Sequence, residues 1–377
     1  MRYMEKTLNR VSSPISVVGR GVRSFIRWHS EDEEQRLLKQ AREVFAVFFS
    51  LFMVMGAFVA MHAQQISVVS PNGSTTLHRT FQKAIEGATN GSVIYLPGGG
   101  FTIDDSVKIT KKLTIIGIGN NVSGGNADGA TIISGNLWFN EGSSGSAVMA
   151  CYITGDVNIG EGGASVNDVL IRYCDLNSVQ VHNSTCQETV VNQNHTRNLS
   201  SFGNSNSKIT NNIIHSIWNL DGGHMSNNVI YEYGYRYVNG LHTDHCIHVV
   251  NNSIITNNII IPYQTASGGN WGRSPISTSC NNNSTDTNMS IINYGNNPIY
   301  PSDSGTPSWE DIFVKNGSDY HFKEVYKAYE SKVGIYSGTG FKDDGLAPVP
   351  YIVAKSIPEQ TDAEGKLNIK IRVKAGE

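Results

Sequence analysis

Short apolar stretches, each three or four positions long and each followed by asparagines, recur through the middle of the chain. Residues 207–214, Ser-Lys-Ile-Thr-Asn-Asn-Ile-Ile, return 46 residues later as Ser-Ile-Ile-Thr-Asn-Asn-Ile-Ile at 253–260, changed only at the second place. A third copy, Met-Ser-Asn-Asn-Val-Ile at 225–230, lies between them. Looser relatives at 169–175 and 190–194 set the aligned apolar positions Ile171, Val190 and Ile209 19 residues apart. β-Branched residues followed by Asn suit a brief strand that ends in a tight turn, because Asn tolerates left-handed backbone and bonds its own chain. One such unit cannot bury its apolar face alone, whereas stacked copies pair in parallel, fill a shared interior and align amides at the corners. The pattern predicts an all-β chain, a single-stranded right-handed parallel β-helix. A β-sandwich with Asn-rich hairpins is the rival reading, since evenly spaced turn signals also mark sandwiches.

The flanks differ from these repeats. Apolar residues at Leu77, Phe81, Ala84, Ile85 and Ala88 have helical spacing and stop before Asn90-Gly91, which predicts a capping helix over 77–88. Strands are predicted at 92–96, 101–103, 107–109 and 113–116. Such a helix covers the core and unpaired edges that the first coil would otherwise expose. Beyond Gly268 the pattern loosens, and 301–308 is a turn-rich break. Residues 301–345 are then expected to form a terminal coil that covers the last rung, and 346–377 a strand appendage. In that appendage 350–354 and 367–375 read as strands, the second half-buried with lysines on its edge.

The order of a helix, Gly91-Ser92-Val93-Ile94-Tyr95-Leu96-Pro97-Gly98, Phe101-Thr102-Ile103 and Leu113-Thr114-Ile115-Ile116-Gly117 resembles the opening of the pectate-lyase-like (pectin-lyase-like) superfamily of secreted bacterial β-helix proteins. The resemblance covers 75–120, and the Asn-rich coils of the β-helix region, 64–300, agree with it. It implies the fold and an extracellular habit. It implies chemistry weakly, because that superfamily mixes lyases, hydrolases, epimerases, tailspikes and non-catalytic adhesins.

Charge and composition narrow the partners. Charged residues make up 16% of the chain and the net charge is −3, so no basic field invites nucleic acid. A polar N-terminal region, 1–43, precedes an apolar run at 44–61 closed by His62-Ala63-Gln64, which fits a secretory signal cleaved before Gln64. The run is also long enough for an uncleaved signal anchor, the one route by which this chain would meet a membrane. Either way the bulk of the chain is expected outside the cytoplasm, secreted or in the cell envelope. The five cysteines, an odd count with no Cys-x-x-Cys pair, are expected to pack as small hydrophobes or form one disulfide. Cys151 and Cys174 stand about one coil apart.

Candidate chemistry gathers in the middle coils. Tyr231, Tyr233, Tyr235 and Tyr237 alternate and on one strand would share a face. Residues 241–248 would place His242, Asp244, Cys246 and His248 together, similar to a His-x-Asp-Gly strand of several bacterial β-helix families, with His245-Cys246 where Gly is expected. A uronate lyase needs a base near neutral pH and a cation to neutralise the carboxylate. Arg236 as base or neutraliser, His242 as base, and Asp221 with Asp244 as calcium ligands form such a set, with Tyr233, Tyr235 and Trp271 as sugar platforms. Trp138, Trp218, Tyr263 and Trp309 add further aromatic surfaces. His195 and His215 lie 20 residues apart. The same residues read otherwise as hydrogen-bonded surface ladders, or His242, Asp244 and His248 as a zinc-type site. A hydrolase would need two carboxylates across the scissile bond, and these coils are poor in acids. The expectation is a protein that binds or processes extracellular polysaccharide, a lyase on acidic glycans among the options. The alternatives are a non-catalytic surface or adhesive protein and a periplasmic metal-handling protein.

Overall fold

The computed structural model describes residues 65–121, 129–200, 206–231 and 246–261, most of 319–356, Phe202, and shorter pieces at 236–238, 241–243, 283–290, 313–315 and 358–374. The apolar run 44–61 lies outside the described residues, and no described helix is long and apolar enough to cross a membrane.

Two long sheets dominate, and past the N-terminal edge every neighbouring pair of strands in them is parallel. In the first sheet Ser92–Tyr95, Leu113–Ile116, Ala147–Met149, Leu170–Arg172, Val190–Asn192, Lys208–Thr210, His224–Ser226, Ile254–Thr256 and Ser284–Asp286 follow one another in chain order. Their register stacks Ile94, Ile115, Val148, Ile171, Val191, Ile209, Met225 and Ile255 in one column, each 0% exposed. Each such side chain contributes about 1.5–3 kcal/mol on leaving water. The inward residue is Val191, not the expected Val190, and the period is not uniform. From Ile171 the rungs run 20, 18, 16 and 30 residues to Val191, Ile209, Met225 and Ile255. The 46-residue repeat is therefore two rungs. The longer one contains an antiparallel pair, Arg236–Val238 with Leu241–Thr243.

Strands of the second sheet pass through two straight sections, separated by a register shift after Ile153. Inward residues of the first section are Ile153, Leu176, Thr196, Ile214, Ile230 and Ile260. Those of the second are Leu137, Val157, Val179, Leu199, Ile217 and Ile247.

Between the sheets runs an amide ladder. Asn194, Asn212, Asn228 and Asn258 are 0% exposed, and the side-chain amides of all four and of Asn288 donate to the carbonyls of Ile171, Val191, Ile209, Met225 and Ile255 at 2.8–3.0 Å. Each Oδ1 accepts the backbone N–H of the rung before, at 2.8–3.0 Å. The preceding residues, Gln193, Asn211, Asn227 and Asn257, all have φ between 55° and 57–58°, the left-handed corner that Asn tolerates best. Cys174 and Cys151 continue this corner toward the N-terminus, both buried and unpaired, as expected of packed thiols. Burial pushes the Cys174 thiol up to about 12 and the Cys151 thiol well above its ordinary value. Both are expected to resist a thiol reagent at pH 8 in the folded chain and to react on unfolding; modification of native protein at the rate of a free thiol would contradict this burial.

At the N-terminal end Ile66–Val69 pairs antiparallel with Ser92–Tyr95 and with Thr75–His78. The helix is shorter than expected, Phe81–Gly87, because Thr80 caps it by accepting Lys83 N–H, and Leu77 sits exposed on the edge strand. It buries Phe81, Ala84 and Ile85.

The C-terminal segment also departs from expectation. In its described part it does not close a rung but runs as a strap along the outside of the second sheet. Phe313, Tyr320, Phe322, Val333 and Ile335 pack on Ile213, Val229, Tyr231 and Ile259. The strap follows the left-handed corners: Gly334 N–H donates to Asn257 O, Ser337 Oγ to Asn227 Oδ1, and Asn211 Nδ2 to the carbonyls of Ile335 and Ser337. This explains the doubled apolar residues in the repeats: Ile214, Ile230 and Ile260 face inward, and Ile213, Val229 and Ile259 face the strap. Past it, Tyr351–Ser356 pairs antiparallel with Lys370–Lys374. The latter is exposed along its whole length rather than half-buried.

Candidate functional site

The outward positions of the second sheet's first section read, in register, Tyr152, Asp175, His195, Ile213, Val229 and Ile259. The last three are apolar and carry the strap. The first three are polar or aromatic, and there the strap bridges a cavity of about 480 Å³. Its walls include Tyr152, Asp175 and His195 from the sheet, Asn120 from the loop after Leu113–Ile116, and Tyr320, Phe341, Lys342 and Asp343 from the strap. That volume suits a small molecule or a unit or two of a polymer.

Within the cavity wall Asp175 and His195 occupy successive rungs, with Oδ2 and Nδ1 3.4 Å apart. With the carboxylate on Nδ1, that nitrogen carries the proton, and Nε2 is left as the accepting atom. His195 Nε2 is buried and has no hydrogen-bond partner among the described residues. Next to it, the His215 ring lies 5.8 Å from that of His195, and His215 Nε2 is 2.9 Å from Tyr231 Oη. Burial, with Tyr231 beside it, pushes the Tyr320 phenol up, so this end of the cavity stays neutral through ordinary pH. On the strap side Asp343 accepts from Tyr336 Oη at 2.6 Å and lies 3.7 Å from His321 Nε2, and the His321 and Tyr336 rings stack at 3.9 Å. Lys342 sits over the Tyr173 ring, 5.5 Å from its centroid. Asn120 pins the floor by donating to Tyr173 O at 2.8 Å and accepts close approach from Gly345, where an added Cβ would fall 1.9 Å from Asn120 Oδ1.

The residues expected to carry chemistry from sequence lie elsewhere. Arg236 and His242 belong to the small antiparallel pair in the long rung, in which Arg236 faces Thr243 and His242 faces Tyr237. Their side chains lie outside the described residues, as do Tyr233, Tyr235, Asp244 and Trp271. The tyrosine row is not one strand: Val229–Tyr231 ends at Tyr231, which is buried against the strap, and Tyr237 belongs to the next pair. Residues 241–248 are likewise split between two elements. Cys246 is 0% exposed in the core, and His248 stacks flat on Trp218 one rung away, at 3.7 Å and 8°. Asp221 accepts from Asn252 Nδ2 at 2.7 Å. Among the described residues no three of His, Cys, Asp and Glu come together as a metal site would need.

His195 was visible in the sequence only through its spacing from His215, and Asp175 was missed. The signal was there: carrying the alignment of 169–175 with 190–194 one position further sets His195 against Asp175, as the register does. Comparison with protein-family models, curated proteins and solved structures gives no match.

Proposed function

We propose that the chain is an exported right-handed parallel β-helix of the pectate-lyase-like kind, and that it binds and processes an extracellular acidic polysaccharide in the cavity between its second sheet and its strap. Right-handed crossovers are the general rule for parallel strands in one sheet, which supports that hand. One observation carries the functional reading: an Asp-oriented imidazole, His195, shares a concave polar wall with a cation, Lys342, and with the half-exposed aromatic Tyr152. β-Elimination from a uronate needs these parts. His195 takes the C5 proton on Nε2, Lys342 offsets the carboxylate charge, and the Tyr152 ring supports a sugar face. Nε2 is covered in the unliganded arrangement, and catalytic contacts commonly tighten only with substrate in place. Arg236 and His242 remain second candidates for the same roles, and calcium a candidate auxiliary cation.

The test is ultraviolet absorbance of the unsaturated uronate product, with the chain from Gln64 onward and a panel of uronate polysaccharides, with and without calcium. Product formation is expected to fall at least a hundredfold in His195→Ala while the melting curve is unchanged, general-base loss being worth about 10²–10⁴ in rate. Absorbance that persists in His195→Ala but vanishes in His242→Ala or Arg236→Ala would move the chemistry to the long rung. No product on any glycan would replace the lyase with a non-catalytic, surface-binding protein, a reading to which the wholly structural Asn ladder is also suited.

A further inference from the structure

A second surface, on the outer side of the second sheet's second section, shares no residue with the cavity. Its register column is Lys108, Trp138, Asn158, Gln180, Ser200, Trp218 and His248. Trp138 is approached from both directions along this stack. Lys108 Nζ, held by Glu161 at 2.6 Å, lies 3.7 Å over the indole from the rung before. From two rungs beyond comes His182, an exposed residue whose ring stacks loosely at 5.9 Å and 26° and whose Nε2 is 2.8 Å from Asn158 Oδ1. Beneath that ring Asn158 is only 2% exposed, yet its Nδ2 has no partner, and neither has the buried Nε1 of the adjacent Trp138. Buried donors are nearly always satisfied, so two neighbouring ones left open want an acceptor that this arrangement withholds.

We infer that Trp138, Asn158 and His182 form a saccharide-binding subsite in which the His182 imidazole stands where a sugar ring would sit. This rests on the reading of the chain as a polysaccharide-binding protein. A pyranose has what the site lacks: an apolar face to lie on the indole, and hydroxyl oxygens to accept from Trp138 Nε1–H and Asn158 Nδ2–H. The sugar is a neutral one. Lys108 is already matched by Glu161, and the nearby carboxylate of Asp156, which accepts from Asn177 and Gln180 at 2.7 and 2.9 Å, disfavours an anion. Trp218, four rungs along and about 19 Å away by the spacing of paired strands, provides the contrast. Its Nε1 donates to Ser216 Oγ at 3.1 Å and its ring is tightly covered by His248, so it is structural.

Tryptophan fluorescence of the full chain, titrated with cellohexaose, xylohexaose and mannohexaose and with hexagalacturonate as the acidic control, tests the inference. Saturable quenching is expected with at least one neutral hexasaccharide. Trp138→Ala should weaken it at least tenfold, and His182→Ala should tighten it several-fold by removing the competing ring. His195→Ala should leave it unchanged. The inference is overturned if no neutral oligosaccharide binds, if Trp138→Ala binds as well as the parent with its fold intact, or if His182→Ala binds more weakly. Binding at Trp138 without lyase product would sink the cavity reading and keep this one; product without such binding would do the reverse.

Discussion

Replacing Asn228 by alanine is expected to cost about 4 kcal/mol, two buried polar groups at roughly 1–3 kcal/mol each. The groups are the Ile209 carbonyl, which loses the amide that donates to it at 2.8 Å, and the backbone N–H of Asn212, which loses its acceptor at 2.9 Å. Asn228 is 0% exposed and water cannot take the vacated place without opening the stack. The cost should appear where the ladder is, because rungs contact mainly their neighbours and such arrays do not unfold as one unit. Amide hydrogen exchange is therefore the better measurement: protection at Asn212 and on the flanking rungs should fall while the N-terminal strands around Ile66–Val69 stay protected. A loss below about 1 kcal/mol, the net worth of a single ordinary hydrogen bond, would mean that the ladder is not what holds the rungs. Cys174→Ala is the control. It occupies the same corner, but its backbone N–H already reaches Asn194 Oδ1, so truncating the thiol leaves that bond in place.

That ladder was the part of the fold most legible in the sequence, because one chemical need recurs at one position. In each Asn-Asn pair the first residue turns the corner in the left-handed region and the second bonds along the stack, so composition and spacing told the same story. The exact period was less legible. Rung length depends on what the turns carry, and a turn can grow from 16 to 30 residues per rung without changing the inward column. Tools that look for a fixed period, or an eye that does, then align Val190 where Val191 belongs.

The candidate site was read less well for a related reason. Periodicity finds residues that do the same thing on successive rungs, whereas Asp175 and His195 do different things at one register position and so look like a break in the pattern. The strap was legible only as an oddity, two successive apolar residues where a half-exposed strand needs one. A residue such as Lys342, brought to the cavity by contacts between segments more than a hundred positions apart, has no local signal at all. Conversely, the alternating His and Tyr residues of 231–248 looked like strand faces because alternation is all a strand needs in sequence. The chain breaks there into a rung end, an antiparallel pair and a new rung, so the alternation does not make a common face.

Asn211 tests what the strap is for. Its Nδ2 donates to the Ile335 and Ser337 carbonyls at 2.8 and 2.7 Å, its Oδ1 accepts from Thr339 Oγ1 at 3.1 Å, and its own φ is 55°. Alanine there loses all three bonds and must also hold a left-handed conformation, a penalty of roughly 1–2 kcal/mol for a residue with a Cβ. With two buried carbonyls left unmet at about 1–3 kcal/mol each, the total is about 5 kcal/mol. Glycine at the same place loses the bonds and keeps the backbone, so Asn211→Gly should recover the 1–2 kcal/mol conformational part and no more. Since the inward column does not depend on these bonds, the deficit should fall on the strap: faster proteolysis at the exposed lysines Lys323 and Lys327, with the parallel sheets intact by far-ultraviolet circular dichroism. The strap also carries Lys342, so lyase product should drop in Asn211→Ala and Asn211→Gly alike, by more at 37 °C than at 10 °C as the strap loosens. Equal proteolysis in all three proteins would show that the apolar contacts of Phe313, Phe322 and Ile335 hold the strap unaided. Full activity with a cleaved strap would remove Lys342 from the chemistry and return the burden of charge neutralisation to a bound cation or to Arg236.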